Sequence, residues 1–536
     1  MWKSTRKEAR ARIPAQGREK DLSWRFFVLA HRMRFPNGSP FLFFPRLRGS
    51  NGAMTARICL HGHFYQPPRE DPWTGLVPRE RSAWPWRDWN RKITSQCYAP
   101  MAGVSWRGKG RKKAAPPPPL LPRMSFNFGP TLLAWLEREA PEVYEAVLEA
   151  DRQGADRDGR FGPALAQAYN HLILPLAPRL DKEIQILWGL RDFQNRFGRK
   201  SRGLWLPETA ADTETLEVAA RSGVEFVILA SHQVILPSGE EADPARAWRI
   251  SLPAGLSLAC FLIDPELFHR LTFRGLAGKG GELAGLWASK AARRKAGILL
   301  AAVDGEYFGH HTRKGPAELD RAFSLLEEKR IERVLPARFL HEEGTAGKAR
   351  LEENTSWSCP HGVERWRGHC GCRAGGPASW RQDWKGPLRE ALEGLREEAA
   401  RLWEEEAPAL LADPRAALLE GVDLFPAYPP EKVEAWLASR GKPRLSRREG
   451  ERALLLLEVQ RLTLFSLTSC GFFFDDLTGL EPVQNLRFAK RALEILEKLG
   501  RAERARGPFL ETLARARSNV AGRPDGKTLF ARLGPG

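Results

Sequence analysis

Cysteine and tyrosine are scarce in this chain, and long apolar runs are missing. Seven cysteines in 536 residues are too few, and odd in number, for a disulfide scaffold, so the sequence reads as one kept in a reducing cytoplasm. The apolar runs near the start, in WRFFVLAHRMRF and SPFLFFP, are short and broken by arginine; neither a secretion signal nor a membrane span is expected. No internal repeat is apparent, and no strong metal spacing such as HExxH occurs. Low complexity is confined to one basic, proline-rich stretch at 107–122.

Acidic residues are missing where basic ones cluster, which decides how the net charge of +19 is read. Residues 1–53 carry 12 Lys/Arg against 3 acids, and 107–123 (RGKGRKKAAPPPPLLPR) carry 6 against none, so the rest of the chain holds only +4. The basicity lies in the segments that look least folded, and a nucleic-acid partner is not expected. Met54 directly precedes the strand-like ARICLHG, so 1–53 reads as a disordered arm or a non-native upstream extension.

At 42% hydrophobic, a chain of this length buries a large core and has room for two domains, one of them a barrel. From Met54 short β-like runs alternate with helical ones, the pattern of parallel α/β architecture. ARICLHGHF, RGLWL, VEFVILA and AGILLAAV (296–303) read as strands. The segments 130–151, 181–198, 213–223 and 316–329 read as helices, with Gly198 placed for a left-handed cap and Asp212 or Thr213 for an N-cap. After about residue 350 the texture becomes helical, at 386–411, 447–468 and 481–498. The division expected is a barrel over 54–350, with an atypical segment at 103–123, and a helical domain over 351–536.

In parallel α/β barrels, loops converge at the C-terminal ends of the strands. The first strand delivers His61 and His63 there (LHGHFYQPP), RGLWLP delivers Glu208, and AGILLAAV delivers Asp304 and Glu306 (VDGEYFGHH), with His310 and His311 close behind. Taken singly, Glu208 reads as a helix-start acid and Asp304-Gly305 as a turn; their repetition at strand ends is what points to chemistry. Two carboxylates on one barrel face suit glycoside hydrolysis, one as nucleophile and one as general acid/base. A metal-dependent hydrolase built on His61, His63, His310 and a carboxylate is the competing arrangement.

In order, LHGHFYQPP, WRDWN, CYAP, MSFNFGPTLLAWLE, AQAYNHLILPLA, GLWLPET and VDGEYFGHH resemble glycoside hydrolase family 57, within it the α-amylase/α-mannosidase-like branch that carries a domain of unknown function. The resemblance spans roughly 56–536. It implies an α/β fold, a distorted TIM-like (β/α)7 barrel followed by an all-helical C-terminal domain, and a retaining hydrolase or transglycosylase of α-glucans needing no cofactor. It assigns Glu208 as nucleophile and Asp304 as acid/base. His61 or His63, and His171, match sugar-contacting histidines, and Trp205, Glu306 and His310 line or support the site. A catalytically inactive carbohydrate-binding barrel is the alternative from another class. Two departures stand out: 103–123 replaces a strand-like apolar stretch, and TSCGFFFDDLTG replaces a sugar-contacting segment, with Asp475 and Asp476 as candidate substitutes.

The loop NTSWSCPHGVERWRGHCGC (354–372) contains Cys359, His361, His369, Cys370 and Cys372. Structural zinc is the lesser expectation here, because single-residue gaps strain tetrahedral chelation. The favoured one is a loop reaching the cleft, with Trp357 and Trp366 as sugar platforms.

Overall fold

The computed structural model describes residues 56–106, 117–240 and 242–534; the basic arm at 1–53 and the centre of the 103–123 segment lie outside them. Among the described residues ten strands are formed: β1 (Arg57–Phe64), β2 (Ser125–Phe128), β3 (Ala166–Gln167), β4 (Gly203–Trp205), β5 (Phe226–Ala230), β6 (Val234–Ile235), β7 (Ala247–Ser251), β8 (Ser257–Ile263), β9 (Ile298–Asp304) and β10 (Lys348–Leu351). Seven of them run parallel in the order β9-β1-β2, then β3-β4-β5-β8. Phe126 N to Pro163 O (3.0 Å) and Leu165 N to Phe126 O (2.8 Å) join the two groups, and Asp264 N to Leu300 O (2.8 Å) closes the ring. This is the (β/α)7 barrel. SFNF supplies β2 just after the atypical segment, and the described strands close the ring.

The remaining strands form a side sheet: β7 pairs antiparallel with β8, and β10 bridges β7 and β6. Sequence periodicity does not expose this flap because each of its strands is short. The helix expected at 130–151 is two helices, Pro130–Glu139 and Pro141–Arg157. Pro141 has no N–H to continue the first helix and forces Ala140 out of the α region, to φ −148° and ψ 58°. Gly198 caps Arg179–Phe197 at φ 67° as expected, and Asp212, rather than Thr213, caps Thr213–Arg221 by accepting from Thr215 N.

Helix Arg179–Phe197 is pressed directly onto β3. A Cβ at Gly189 would lie 1.8 Å from Gln167 O, so only glycine permits this approach. The close seat lets Tyr169 N donate to Gln185 O and Asn170 N to Gln185 Oε1, each at 3.0 Å. The loop after β3 is thereby tied to that helix.

The helices Lys385–Leu410, Arg447–Ser466, Leu480–Lys498 and Ala502–Leu513 enclose a second hydrophobic core. That core takes in Tyr169, Leu172 and Trp188 from the barrel side. Trp188 packs edge-on against Phe425 at 5.0 Å and donates Nε1–H to Leu418 O at 3.0 Å. A buried aromatic that also satisfies its polar tip is an effective anchor. Asp71–Arg487 (3.0 Å) and Trp73 Nε1 to Glu494 (2.7 Å) bind the loop after β1 to one of these helices, Leu480–Lys498. Both attachments place the segment Thr468–Cys470 over the strand ends. Among the described residues, no helix is long and apolar enough to cross a membrane.

Candidate active site

Strand register builds the site. His63 is level with Asn127 on β2 and with Asp304 on β9, while Gln167 on β3 is level with Trp205 on β4. Asn127 Nδ2 donates to Gln167 Oε1 at 2.7 Å, joining the two rows into one polar layer at the C-terminal rim. His61 lies one inward position deeper: it contacts Ser125 Oγ (2.9 Å) and Asn127 Oδ1 (3.0 Å) and stacks on Trp205 at 4.6 Å. Above it, His63 also stacks on Trp205 (5.1 Å), and its Nε2 meets His171 Nε2 at 3.3 Å. His171, held at φ 60°, contacts Ser469 Oγ at 2.6 Å and stacks on Tyr65 at 4.0 Å.

All three rings are buried. Burial pushes His61 and His63 down to about 3 and His171 well below the ordinary histidine range. Each is therefore neutral near pH 7, and the facing Nε2 atoms need one donor and one acceptor, so they cannot both carry protons. Of the two β1 histidines, His63 is nearer the opening; His61 and Trp205 form its floor, and Trp205 is fully buried. Trp205 thus supports the site from below instead of offering a face to a ligand.

Glu208 follows Pro207 in a left-handed conformation (φ 57°), and so does Thr209 (φ 49°). Two successive non-glycine residues there store strain, a feature common at functional sites. The turn is clamped by the loop at 355–358: Trp357 N donates to Glu208 O (3.1 Å) and Ala211 N to Thr355 O (3.1 Å). The carboxylate accepts Ser358 Oγ–H at 2.6 Å and Trp357 Nε1–H at 3.2 Å, both on Oε2. Burial raises its pKa, while Ser358, the Arg365 charge and Trp357 pull it back.

Asp304 is the one exposed residue of β9. Crowding by protein, then the charges of Glu306 and Glu208, hold its pKa well above the usual carboxylate range. Because the residue keeps accessible surface, the neighbouring carboxylates are the firmer cause. Glu306 is buried, accepts from Tyr98 OH (2.6 Å) and Tyr65 N (3.2 Å), and is pushed up by burial to about 7. The site therefore pairs a carboxylate supplied with donors and another whose pKa is held well above the usual range.

Other expectations are sorted by the same geometry. His310 borders the rim, bonded through Nδ1 to Gln96 Oε1 at 2.7 Å and edge-on to Trp89; it does not join His61 and His63 in a metal-binding set. Trp357 stands against Trp205 at 5.2 Å and beside Glu208. Trp366 has no exposed surface and sits in the helical core, so it offers no platform. Asp475 accepts from Ala374 N, Gly376 N and Gln382 Nε2, and Asp476 from Thr478, Ser518 and Asn519 N. Both are committed to bracing the helical region. Cys359, His361, Cys370 and Cys372 converge, whereas His369 accepts instead from Gln382 N at 3.0 Å.

Comparison with known proteins finds relatives for both parts of the chain. The family model described as glycosyl hydrolase family 57 matches residues 101–350, and a domain of unknown function, DUF3536, matches 380–533. Residues 101–350 are thus similar to glycosyl hydrolase family 57. The chain is similar to alpha-amylase 1 of Dictyoglomus thermophilum, 25% identical over 186 residues, 35% of this chain and 26% of that protein. The chain thus matches about a quarter of that relative's length. An exo-type maltose-forming amylase from Pyrococcus sp. ST04 has the same fold, with TM-score 0.65 and 16% identity over 85% of this chain and 82% of that one. The branching enzyme of Pyrococcus horikoshii does too, with TM-score 0.53 and 17% identity over 90% and 98%.

Several residues of the candidate site escape sequence reasoning. Asn127 and Tyr98 sit in the quoted motifs SFNFGP and CYAP, and Asn127 is legible once SFNF is paired in parallel with LHGHF. Ser358, Arg365 and Ser469 carry no local signal: they arrive from 150 to about 300 positions away and matter only because loops and helices dock on the rim.

Proposed function

We propose that the protein is a retaining glycoside hydrolase or glucanotransferase of α-glucans, working by double displacement. Glu208 attacks the anomeric carbon, and Asp304 gives its proton to the leaving oxygen and later removes one from the acceptor. The observation that carries this reading is the contrast between the two groups at one rim. Glu208 receives two side-chain hydrogen bonds that favour its charged form against the burial that raises its pKa, and Asp304 is held well above the usual carboxylate range by crowding and by the charges of Glu306 and Glu208. This is the division of labour that two-carboxylate glycosidases need.

The neutral histidines supply hydrogen-bonding atoms for sugar hydroxyls without adding charge beside an oxocarbenium-like centre. His63 and His171 are the contacts we assign. The barrel over 54–350 delivers the carboxylates, and the helical part over 351–536 closes one side through Ser469 and the 354–372 loop. The seven cysteines are free thiols, which supports a cytoplasmic setting. Relatives named amylase and branching enzyme support an α-glucan as substrate.

The test is incubation with malto-oligosaccharides, amylose and a branched glucan, following product anomers by NMR at early times. New α-anomeric ends or α-linked transfer products are expected. No turnover on any of the three, or β-configured first products, removes the proposal.

A second result tests the Glu208 environment. Ser358 donates to Glu208 and lowers its pKa, so Ser358→Ala is expected to raise it. Activity requires ionised Glu208 and is lost as pH falls through that pKa; the acidic limb of kcat/KM should therefore move to higher pH. A limb left in place would mean that Ser358 does not tune the nucleophile.

A further inference from the structure

The loop that clamps Glu208 contains a second centre. Cys359 Sγ lies 3.9 Å from His361 Nδ1, 4.0 Å from Cys370 Sγ and 3.9 Å from Cys372 Sγ, and Cys372 Sγ lies 3.5 Å from His361 Nδ1. All four donor atoms fall within 4.8 Å of one another. Disulfides require sulfurs at about 2.05 Å, so these are separate thiols. Bond lengths of about 2.3 Å for Zn–S and about 2.05 Å for Zn–N give a regular tetrahedron with S···S edges of about 3.8 Å and S···N edges of about 3.6 Å. The four edges measured above are close to those values.

We infer that Cys359, His361, Cys370 and Cys372 form a structural zinc site that fixes the loop presenting Trp357 and Ser358 to Glu208. The single-residue gap between Cys370 and Cys372 does not prevent chelation, because Gly371 takes a left-handed φ of 82° and turns both thiols to one side. At the other end Gly362, at φ 76°, bends the chain after His361; a Cβ there would meet Asn354 O at 2.4 Å. Cys372 N–H points at Cys370 Sγ, 3.4 Å away, the kind of contact that stabilises a thiolate. Three thiolates and a neutral imidazole around Zn²⁺ leave one negative charge, and the buried Lys385 lies within electrostatic reach of Cys359 and Cys370. Gln382 Nε2 donates to Cys372 O, so the outer groups are arranged as well.

Cys359 directly follows Ser358, and Arg365, inside the same loop, donates to Ser358 O at 2.9 Å. Pinning Cys359 therefore restricts the hydroxyl that Glu208 uses. This last link rests on the catalytic role proposed for Glu208; the metal site itself does not.

The experiment is elemental analysis of the full chain purified without chelator, together with Co²⁺ substitution. About one zinc per chain is expected, and Co²⁺ should give the visible bands of a tetrahedral thiolate complex. Cys372→Ser and His361→Ala should lose the metal, while the adjacent His369→Ala should keep it. Native folded protein that takes up no zinc or cobalt overturns the site. So does a disulfide among these cysteines found by alkylation and mass analysis, or metal lost on His369→Ala but kept on His361→Ala. If zinc binds and its removal slows glucan turnover and shifts the acidic limb as Ser358→Ala does, the positioning role holds; unchanged turnover overturns that role alone. Metal content is read whether or not glucan is turned over, so failure of the catalytic proposal remains distinguishable.

Discussion

Replacing Glu208 with glutamine is expected to lower kcat on a malto-oligosaccharide by at least about 10⁴-fold, as loss of a nucleophile does elsewhere. The substitution is close to isosteric. The amide oxygen still accepts from Ser358 and Trp357, and the backbone clamp through Trp357 N and Glu208 O is untouched. Thermal stability should therefore stay near the native value, separating lost chemistry from lost fold. Nucleophile and base are then told apart by Glu208→Gly with added azide. A missing nucleophile leaves space beneath the anomeric carbon, and azide attack on an α-glucoside yields the β-glucosyl azide. Formation of that product from an activated substrate is the expected result, measured by NMR; activity within a few-fold of native in Glu208→Gln would place the nucleophile elsewhere.

What the sequence reveals and what it conceals divide along physical lines. Alternation in LHGHF puts His61 and His63 on one side of a strand, and Pro207 ends RGLWL so that Glu208 sits at the rim; both follow from short-range geometry. The break at Pro141 is equally local, and the expected continuous helix fails there because the hydrophobic periodicity runs straight through the proline. By contrast, the side sheet of β6, β7 and β10 depends on pairing between strands of two to five residues, too short for periodicity to register. In TSCGFFFDDLTG, composition favours the two aspartates as site residues, yet docking of Leu172 and His171 against Thr468 and Ser469 turns Ser469 to the site and the aspartates away. The zinc-like cluster is obscured for a related reason: spacing argues strain, and only the positive φ of Gly371 relieves it.

For Asp304, the change to asparagine is expected to cost about 10²–10⁴-fold on a glucan and much less on an aryl glucoside whose leaving group needs no proton. That contrast, read from initial rates on the two substrates, separates an acid from a residue that merely shapes the site. The pH dependence follows with a definite sign. Asp304 acts only while protonated, so activity falls as pH rises through the pKa that crowding, Glu306 and Glu208 hold well above the ordinary value. Glu306, itself pushed up to about 7, ionises near neutrality and titrates jointly with Asp304, so the basic limb belongs to the pair. Glu306→Gln keeps an oxygen to accept from Tyr98 OH and Tyr65 N but can no longer become negative. Asp304 should then release its proton more readily, and the basic limb of kcat/KM should move to lower pH while the plateau below it is preserved. Movement the other way, or collapse of the plateau with the limb unchanged, would show that Glu306 handles substrate directly and that Asp304 draws its high pKa from burial alone.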